Sequence, residues 1–399
     1  MRKILFASPF ALAVAACGLN GTDHADKQSD AKSATSQATS QAAAEDPLLS
    51  HDPTGNAPLD PVLADDKPRP EMQAQVVLDR LGFTPGVVDG AIGMSTHNAL
   101  RGFQLANDLE DTGELDDATR RALGQWSNIP ATRVVTIPSE FAAGPFFVIP
   151  KDPQDEAKMS VLGYESLDEK LAERFHTTVA VLKELNANAA PMPSTSPTPT
   201  PTPSETASGA TFTPQPGPPS YFHAGQQIRV PNVGADRIDP GLVTDSAWLA
   251  TLQMLGVGTV QPKADKIVVD KSAGTLFAYD SAGKLVAAFT ATMGSTHDPL
   301  PLGDWKILGV SKNPPFHYNP ALFWDAKAGD EKAKLPPGPN GPVGVAWIDL
   351  SKEHYGIHGT PHPETIGRAE SHGCVRLTNW DVARLSQMVS GSTKVSFVA

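Results

Sequence analysis

Cysteine is nearly absent: 399 residues carry two, Cys17 and Cys374. Cys17 falls at the end of an N-terminal stretch that reads as an export signal. Arg2 and Lys3 precede an apolar run from Ile4 to Ala16, which is too short to span a bilayer as a helix but suits a signal h-region. If Cys17 is consumed by lipidation, Cys374 has no partner for an intramolecular disulfide, and chemistry rather than stapling is expected of it. Long apolar runs are missing elsewhere. Nothing beyond the signal approaches the roughly eighteen residues of a spanning helix, so the remainder is expected to be soluble. Excess positive charge is lacking too. The formal net charge is −12, which argues against nucleic acid as a partner.

Val14-Ala15-Ala16-Cys17 resembles a bacterial lipobox. The resemblance implies that residues 1–16 are a lipoprotein signal peptide and that Cys17, lipidated, becomes the first mature residue and a membrane anchor. Gly18 follows where an Asp would favour inner-membrane retention, so the expected location is the periplasmic face of the cell envelope, on the outer membrane. Residues 17–68 are Ala, Ser, Thr, Gln, Asp and Pro with few large apolar side chains. Such a segment cannot offset the entropy of ordering and reads as a disordered tether.

Residues 69–127 read as a small three-helix module. Val77, Leu78 and Leu81 lie at helical spacing before Gly82, the turn Val88-Asp89-Gly90-Ala91-Ile92-Gly93 follows, and Ser95-Thr96 is expected to cap a second helix bearing Ala99, Leu100, Phe103 and Gln104. Thr96, Ala99 and Leu100 recur as Thr119, Ala122 and Leu123, an internal echo. These residues resemble the peptidoglycan-binding type 1 module, which implies docking on the cell wall without catalysis.

Residues 134–233 read as a small α+β module. Leu167, Leu171 and Phe175 share one helical face, a second helix carries Val179, Val181, Leu182 and Leu185, and Asn186 ends it. Residues 191–219 are so rich in Pro, Thr and Ser that an extended, solvated insertion is expected. The strand-like Gln226-Gln227-Ile228-Arg229-Val230-Pro231 closes the unit. Across the insertion this looks like a LysM module, with Ser166-Leu167-Asp168 where that family has Gly-Asp-Thr. Residues 234–264 are read as a linker.

From residue 265 to 398 the pattern is mainly β. Short runs at Lys266–Asp270, Leu276–Asp280 and Leu285–Thr292 are separated by Ser-Ala-Gly turns, and a loop-rich, proline-rich span follows. Then come Ile357-His358-Gly359-Thr360 and Ser371-His372-Gly373-Cys374-Val375-Arg376-Leu377. A free thiol with pKa near ~8.5 is only a few per cent thiolate at neutral pH, and a nearby imidazole remedies this; His358 and His372 are the candidates. Backbone N–H groups of Gly373 and Cys374 could stabilise an oxyanion.

This segment resembles the YkuD family of L,D-transpeptidases, which implies a YkuD-like β-sandwich with no cofactor. It also implies Cys374 as nucleophile, His358 as general base and acid, Gly359 as the carbonyl orienting His358, and His372 with Gly373 completing the catalytic motif. Ser371 and Arg376 are then expected at the substrate. The implied partner is peptidoglycan: a tetrapeptide stem donates, D-alanine leaves, and an amine acceptor yields a 3-3 crosslink. Water or a protein lysine as acceptor would make the same site an L,D-carboxypeptidase or a wall-anchoring enzyme. Two further readings compete: a non-catalytic wall-binding lipoprotein, and a metal site built from His354, His358, His362, His372 and Cys374. The latter needs a helix that Gly356, Gly359, Pro361 and Pro363 oppose, so no metal is expected.

Overall fold

The computed structural model describes Leu63 and residues 67–188, 212–234, 238–327 and 329–399. Cys17 and the tether lie outside these residues, except for Leu63, Lys67 and Pro68. Among the described residues no helix is long and apolar enough to cross a membrane.

The first helical unit comprises α1 (Pro70–Arg80), the two-residue strand β1 (Phe83–Thr84), α2 (Met94–Ala106) and α3 (Asp117–Leu123). Pro70 opens α1, where a missing N–H is tolerated, and Gly82 at φ +86° turns the chain out of it. Ser95 and Thr96 do not cap α2. Gly93 is its N-cap, and Thr96 lies inside the first turn, where its hydroxyl accepts from Gln75 Nε2 at 3.1 Å. The internal echo has a physical basis there. Gln75 binds the turn before α2 through Ala91 O (3.0 Å) and the Gly90 N–H (2.7 Å). Gln104 likewise binds the turn before α3 through Glu114 O (3.0 Å), the Gly113 N–H (2.8 Å) and Thr119 Oγ1 (2.9 Å). In each half a buried glutamine satisfies a turn that has no ladder of its own.

The second unit is β2 (Thr132–Thr136), the single turns α4 (Ser139–Ala142) and α5 (Pro153–Glu156), α6 (Leu167–Arg174), α7 (Val179–Leu185) and β3 (Gln227–Pro231), with β2 and β3 antiparallel. Ser166 caps α6, and the Asp168 carboxylate accepts the Tyr221 and Phe222 N–H groups at 2.8 and 3.0 Å. Asn186 joins α7 to β3 by accepting from Arg229 N (2.7 Å) and donating to Arg229 O (2.8 Å). Residues 191–211 of the proline-rich insertion are outside the described residues. Its C-terminal end is not solvated loop: Val148 N donates to Gln215 O and Gly217 N to Phe146 O, so 215–217 lies against the second unit.

The expected linker, residues 234–264, is corrected by the structure. It contains α8 (Ser246–Leu255), capped by Asp245 and stopped by Gly256 at φ +66°. Its Trp248, Leu252 and Leu255 enter the core of the C-terminal domain. A segment that buries three large side chains there is part of the domain rather than a spacer.

The C-terminal domain is mainly β: β4 (Lys266–Asp270), β5 (Thr275–Tyr279), β6 (Leu285–Thr290), β7 (Thr292–Met293), β8 (Gly303–Lys312), β9 (Phe316–Tyr318), β10 (Ala333–Leu335), β11 (Ala346–Leu350), β12 (Gly356–His358), β13 (Val375–Arg376), α9 (Asn379–Met388) and β14 (Lys394–Val398). One sheet runs in the order β1-β6-β5-β4-β14-β8-β11-β12-β13-β7. β8 divides it, pairing with β14 through Gly303–Lys306 and with β11 through Ile307–Lys312. β1 of the helical unit pairs parallel with β6, and Phe83, Leu100 and Phe103 share a cluster with Phe277, Leu285 and Ala288. The helical unit therefore has no separate core on that side.

α9 is buried on nearly every side, including its polar residues Asn379, Asp381, Arg384 and Ser386. Arg384 donates to both Asp79 carboxylate oxygens, at 3.1 and 2.9 Å. His176, stacked on Trp380 at 4.8 Å, reaches Asp79 Oδ1 at 3.1 Å and Leu255 O at 3.0 Å. Burial alone would raise Asp79, yet Arg384 and His176 hold its carboxyl well below the ordinary range. One cluster thus ties α1, the α6–α7 turn, α8 and α9 together. Asp79→Ala, which deletes a buried carboxylate that meets both guanidinium nitrogens, is expected to cost about 3 kcal/mol. Urea unfolding followed by tryptophan fluorescence checks this, and an unchanged midpoint would count against the cluster as a structural tie.

Candidate active site

β12 and β13 run parallel in contact, with Ile357 opposite Val375 and His358 opposite Arg376. Cys374 stands one residue before β13, so this pairing brings the thiol and the His358 imidazole onto neighbouring strands from positions sixteen apart in sequence. The turn that presents Cys374 is held by Ser371, whose hydroxyl donates to Cys374 O (2.6 Å) and accepts the Gly294 N–H (2.7 Å). Ser371 was expected at the substrate. At 3 % exposure, with its hydroxyl occupied on both sides, it shapes the nucleophile turn instead. Gly373 has φ +94°, and a Cβ there would lie 2.5 Å from the Tyr355 ring, so this position requires glycine.

His358 is buried, and its ring stacks on Trp347 with centroids 5.4 Å apart. Its Nδ1 lies 2.7 Å from Gly359 O. A carbonyl only accepts, so Nδ1 carries the proton and Nε2 keeps its lone pair. The Cys374 thiol points to His354 O at 3.7 Å. His354 has φ +66°, which a non-glycine residue seldom adopts. His372 turns elsewhere. Its Nε2 is 2.8 Å from Asp325 Oδ1, and its ring lies among Phe323 and Trp324 at 5.1 and 5.9 Å. Arg376 donates to Glu370 O at 3.4 Å and is half-buried.

Desolvation pushes the Cys374 thiol up from its ordinary value, against the opposing pull of the Gly356 N–H and the Arg376 charge. Desolvation also pushes His358 down to about 4, assisted by Arg376 and opposed by the Gly359 carbonyl. Both shifts favour the uncharged forms, a neutral thiol and, on the neighbouring strand, a neutral imidazole able to accept a proton, rather than a preformed thiolate and imidazolium.

The other histidines are dispersed: His354 lies beside Glu353 and His362 beside Glu364. Among the described residues no three His, Cys, Asp or Glu side chains are placed to hold one ion. Sequence reasoning did not single out Trp347, Tyr355, Asp325 or Asn379. Trp347 had a weak signal, since it alternates with buried Ala346 and Ile348 in a β-like run. The others come into the site only through long-range packing.

Residues 264–396 match the YkuD family, described as "L,D-transpeptidase catalytic domain". Residues 72–123 match the "Putative peptidoglycan binding domain" family. Among individual proteins, the "Putative L,D-transpeptidase YkuD" of Bacillus licheniformis is 53 % identical over 60 residues, 15 % of this chain and 36 % of that protein. The "Probable L,D-transpeptidase YbiS" of Escherichia coli K12 is 27 % identical over 187 residues, 45 % of this chain and 60 % of that protein. A solved L,D-transpeptidase from Mycobacterium smegmatis aligns at 21 % identity over 34 % of this chain and 59 % of that one, with a TM-score of 0.29. In the Bacillus case the chain spans little more than a third of its relative's length.

A neutral resting pair predicts how the thiol reacts. Alkylation of Cys374 by iodoacetamide, followed on its own peptide by mass spectrometry, should rise continuously with pH from 5 to 9. A reactivity plateau already reached at pH 5 to 7 would mean that the ion pair preforms.

Proposed function

We propose that the chain is a cysteine-dependent peptidoglycan L,D-transpeptidase that forms 3-3 crosslinks. The observation that carries this reading is the His358 tautomer fixed by Gly359 O, with an unprotonated Nε2 on the strand beside Cys374. As Cys374 Sγ attacks the carbonyl joining the third stem residue to D-alanine, Nε2 takes the thiol proton. The Gly373 and Cys374 N–H groups donate to no backbone acceptor among the described residues and are the candidates for the oxyanion. The C–N bond then breaks, the imidazolium returns its proton to the departing D-alanine amine, and a thioester remains. An acceptor amine attacks that thioester, His358 takes the amine's proton, and the thiol is restored by its return. No cofactor is needed.

Gly359 positions His358, Gly373 lets Tyr355 approach the turn, and Ser371 fixes it. Arg376 tunes both reacting groups by its charge, and His372 with Asp325 lines the approach. Residues 17–68 are read as a tether from lipidated Cys17 to an outer-membrane anchor, with the helical unit docking on peptidoglycan. The second unit is read as LysM-like, supported by the helix pair α6 and α7 followed by the closing strand β3 and by Asn186 bridging α7 to β3.

Cys374→Ala is expected to abolish formation of dimers from disaccharide-tetrapeptides and covalent labelling by a carbapenem. His358→Gln should lower turnover by about 10²–10⁴-fold. Mass spectrometry of the products decides the acceptor: dimers support transpeptidation, free tripeptides alone indicate hydrolysis, and protein-linked fragments indicate anchoring. Crosslinking retained by Cys374→Ala would sink the mechanism.

A further inference from the structure

The segment 337–345, whose Val343 O accepts the Gly359 N–H, is gripped from outside the C-terminal domain. In the second unit, Leu162 N donates to Pro337 O and Leu162 O accepts from Asn340 N, both at 3.0 Å. Asn340 Nδ2 also donates to Gly163 O (3.0 Å) and to Glu169 Oε1 (2.8 Å). Deeper in, Glu173 Oε1 accepts from Asn379 Nδ2 at 2.7 Å, and its other oxygen meets the Tyr164 hydroxyl. Asn379 shares its Nδ2 with Pro339 O at 3.1 Å, while its Oδ1 accepts the Val345 N–H at 3.1 Å.

That Oδ1 also presses on two glycines. A Cβ at Gly359 would lie 2.2 Å from it, and a Cβ at Gly344 would lie 2.0 Å away. Gly359 N donates to Val343 O at 3.1 Å, and Gly359 O receives His358 Nδ1. A continuous series of contacts therefore leads from Tyr164 through Glu173 and Asn379 to the imidazole.

We propose that Glu173, contributed by α6 of the second unit, is a positioning residue for His358, acting through Asn379 and the backbone of Gly359. The proposal rests on the reading of His358 as the base. It means that the second unit completes the active site, whether or not it also binds glycan. Burial raises Glu173 to about 7, against the hydrogen bonds from Tyr164 and Asn379 and with Glu169 adding to the rise. At neutral pH its carboxyl sits near half-ionisation, and in either state Oε1 remains an acceptor for Asn379. The charged group that acts on His358 itself is Arg376, the residue paired with it in β13.

The test follows the His358 ring by NMR of the full chain carrying ¹³C-histidine, its signal assigned by loss in His358→Gln. Wild-type His358 is expected to titrate at about 4. Glu173→Met keeps the volume and removes the acceptor, so it should move that midpoint upward by about one pH unit as the ring loosens toward solvent. It should also lower kcat about tenfold with KM unchanged. Glu173→Gln keeps an acceptor oxygen and should titrate like wild type. Asn379→Asp turns the donor facing Glu173 into an acceptor and should repeat the upward shift. The pair Glu173→Gln/Asn379→Asp restores that hydrogen bond with its direction reversed while Pro339 O loses its donor, so it should return the midpoint part of the way from the Asn379→Asp value toward wild type, which keeps the test open if Glu173→Met fails to fold. Variants that melt earlier yet leave His358 titrating at about 4 would reduce Glu173 to a structural residue and overturn the proposal. A shifted midpoint in a protein whose wild type transfers no acyl group would uphold the positioning and overturn the transpeptidase reading alone.

Discussion

Helix α9 buries a guanidinium, and nearly every long-range relation in the molecule follows from how that charge is met. An arginine removed from water is tolerated only beside an anion with matching geometry. Here the anion is Asp79, delivered from α1, more than three hundred residues away in sequence. Because a bidentate pair fixes both distance and direction, α1 cannot slide on α9. His176 then locks the α6–α7 turn to the same carboxylate while stacking on Trp380. Apolar packing would bring these surfaces together in several registers, and the polar cluster selects one.

The same exclusion of water that makes the cluster strong governs the chemistry at Cys374. Desolvation disfavours a charge on the thiol and on the imidazole alike. Arg376 acts in opposite senses on the two, easing the thiol toward thiolate while resisting a proton on the ring. Both groups are thus held neutral on neighbouring strands, and on the proposed reading charge separates only as the thiol attacks a bound carbonyl. A thiol kept in this form spends little time as a free thiolate exposed to oxidants or stray electrophiles.

The segments that form the candidate site were legible in the sequence because their signals are local. The Ser-His-Gly-Cys run, the His-Gly pair upstream and the first strand at Lys266–Asp270 each carry their own signal in adjacent residues. α8 was legible as well but was passed over as linker, although Trp248, Leu252 and Leu255 recur at helical spacing between a capping Asp245 and a terminating Gly256. Ser95 and Thr96 misled because a hydroxyl near a helix start has two uses, and Thr96 serves Gln75 rather than the helix end. The pairs Asp79–Arg384 and Glu173–Asn379 leave no trace in a single chain. Each member looks like an ordinary polar residue of an amphipathic helix until folding removes it from water.

β1 is only two residues long, yet it occupies the flank of β6 that would otherwise end the ten-stranded sheet. An uncovered strand offers a row of free N–H and C=O groups to any passing chain. Ala288 N instead donates to Gly82 O, and Gly102 brings α2 so near that a Cβ there would sit 2.6 Å from that of Ala288. A fragment cut at the boundary of the matched catalytic segment would therefore carry a raw edge and a bared apolar face. The helical unit thus covers an edge and an apolar face of the C-terminal domain, which ties the folding of one matched segment to the presence of the other.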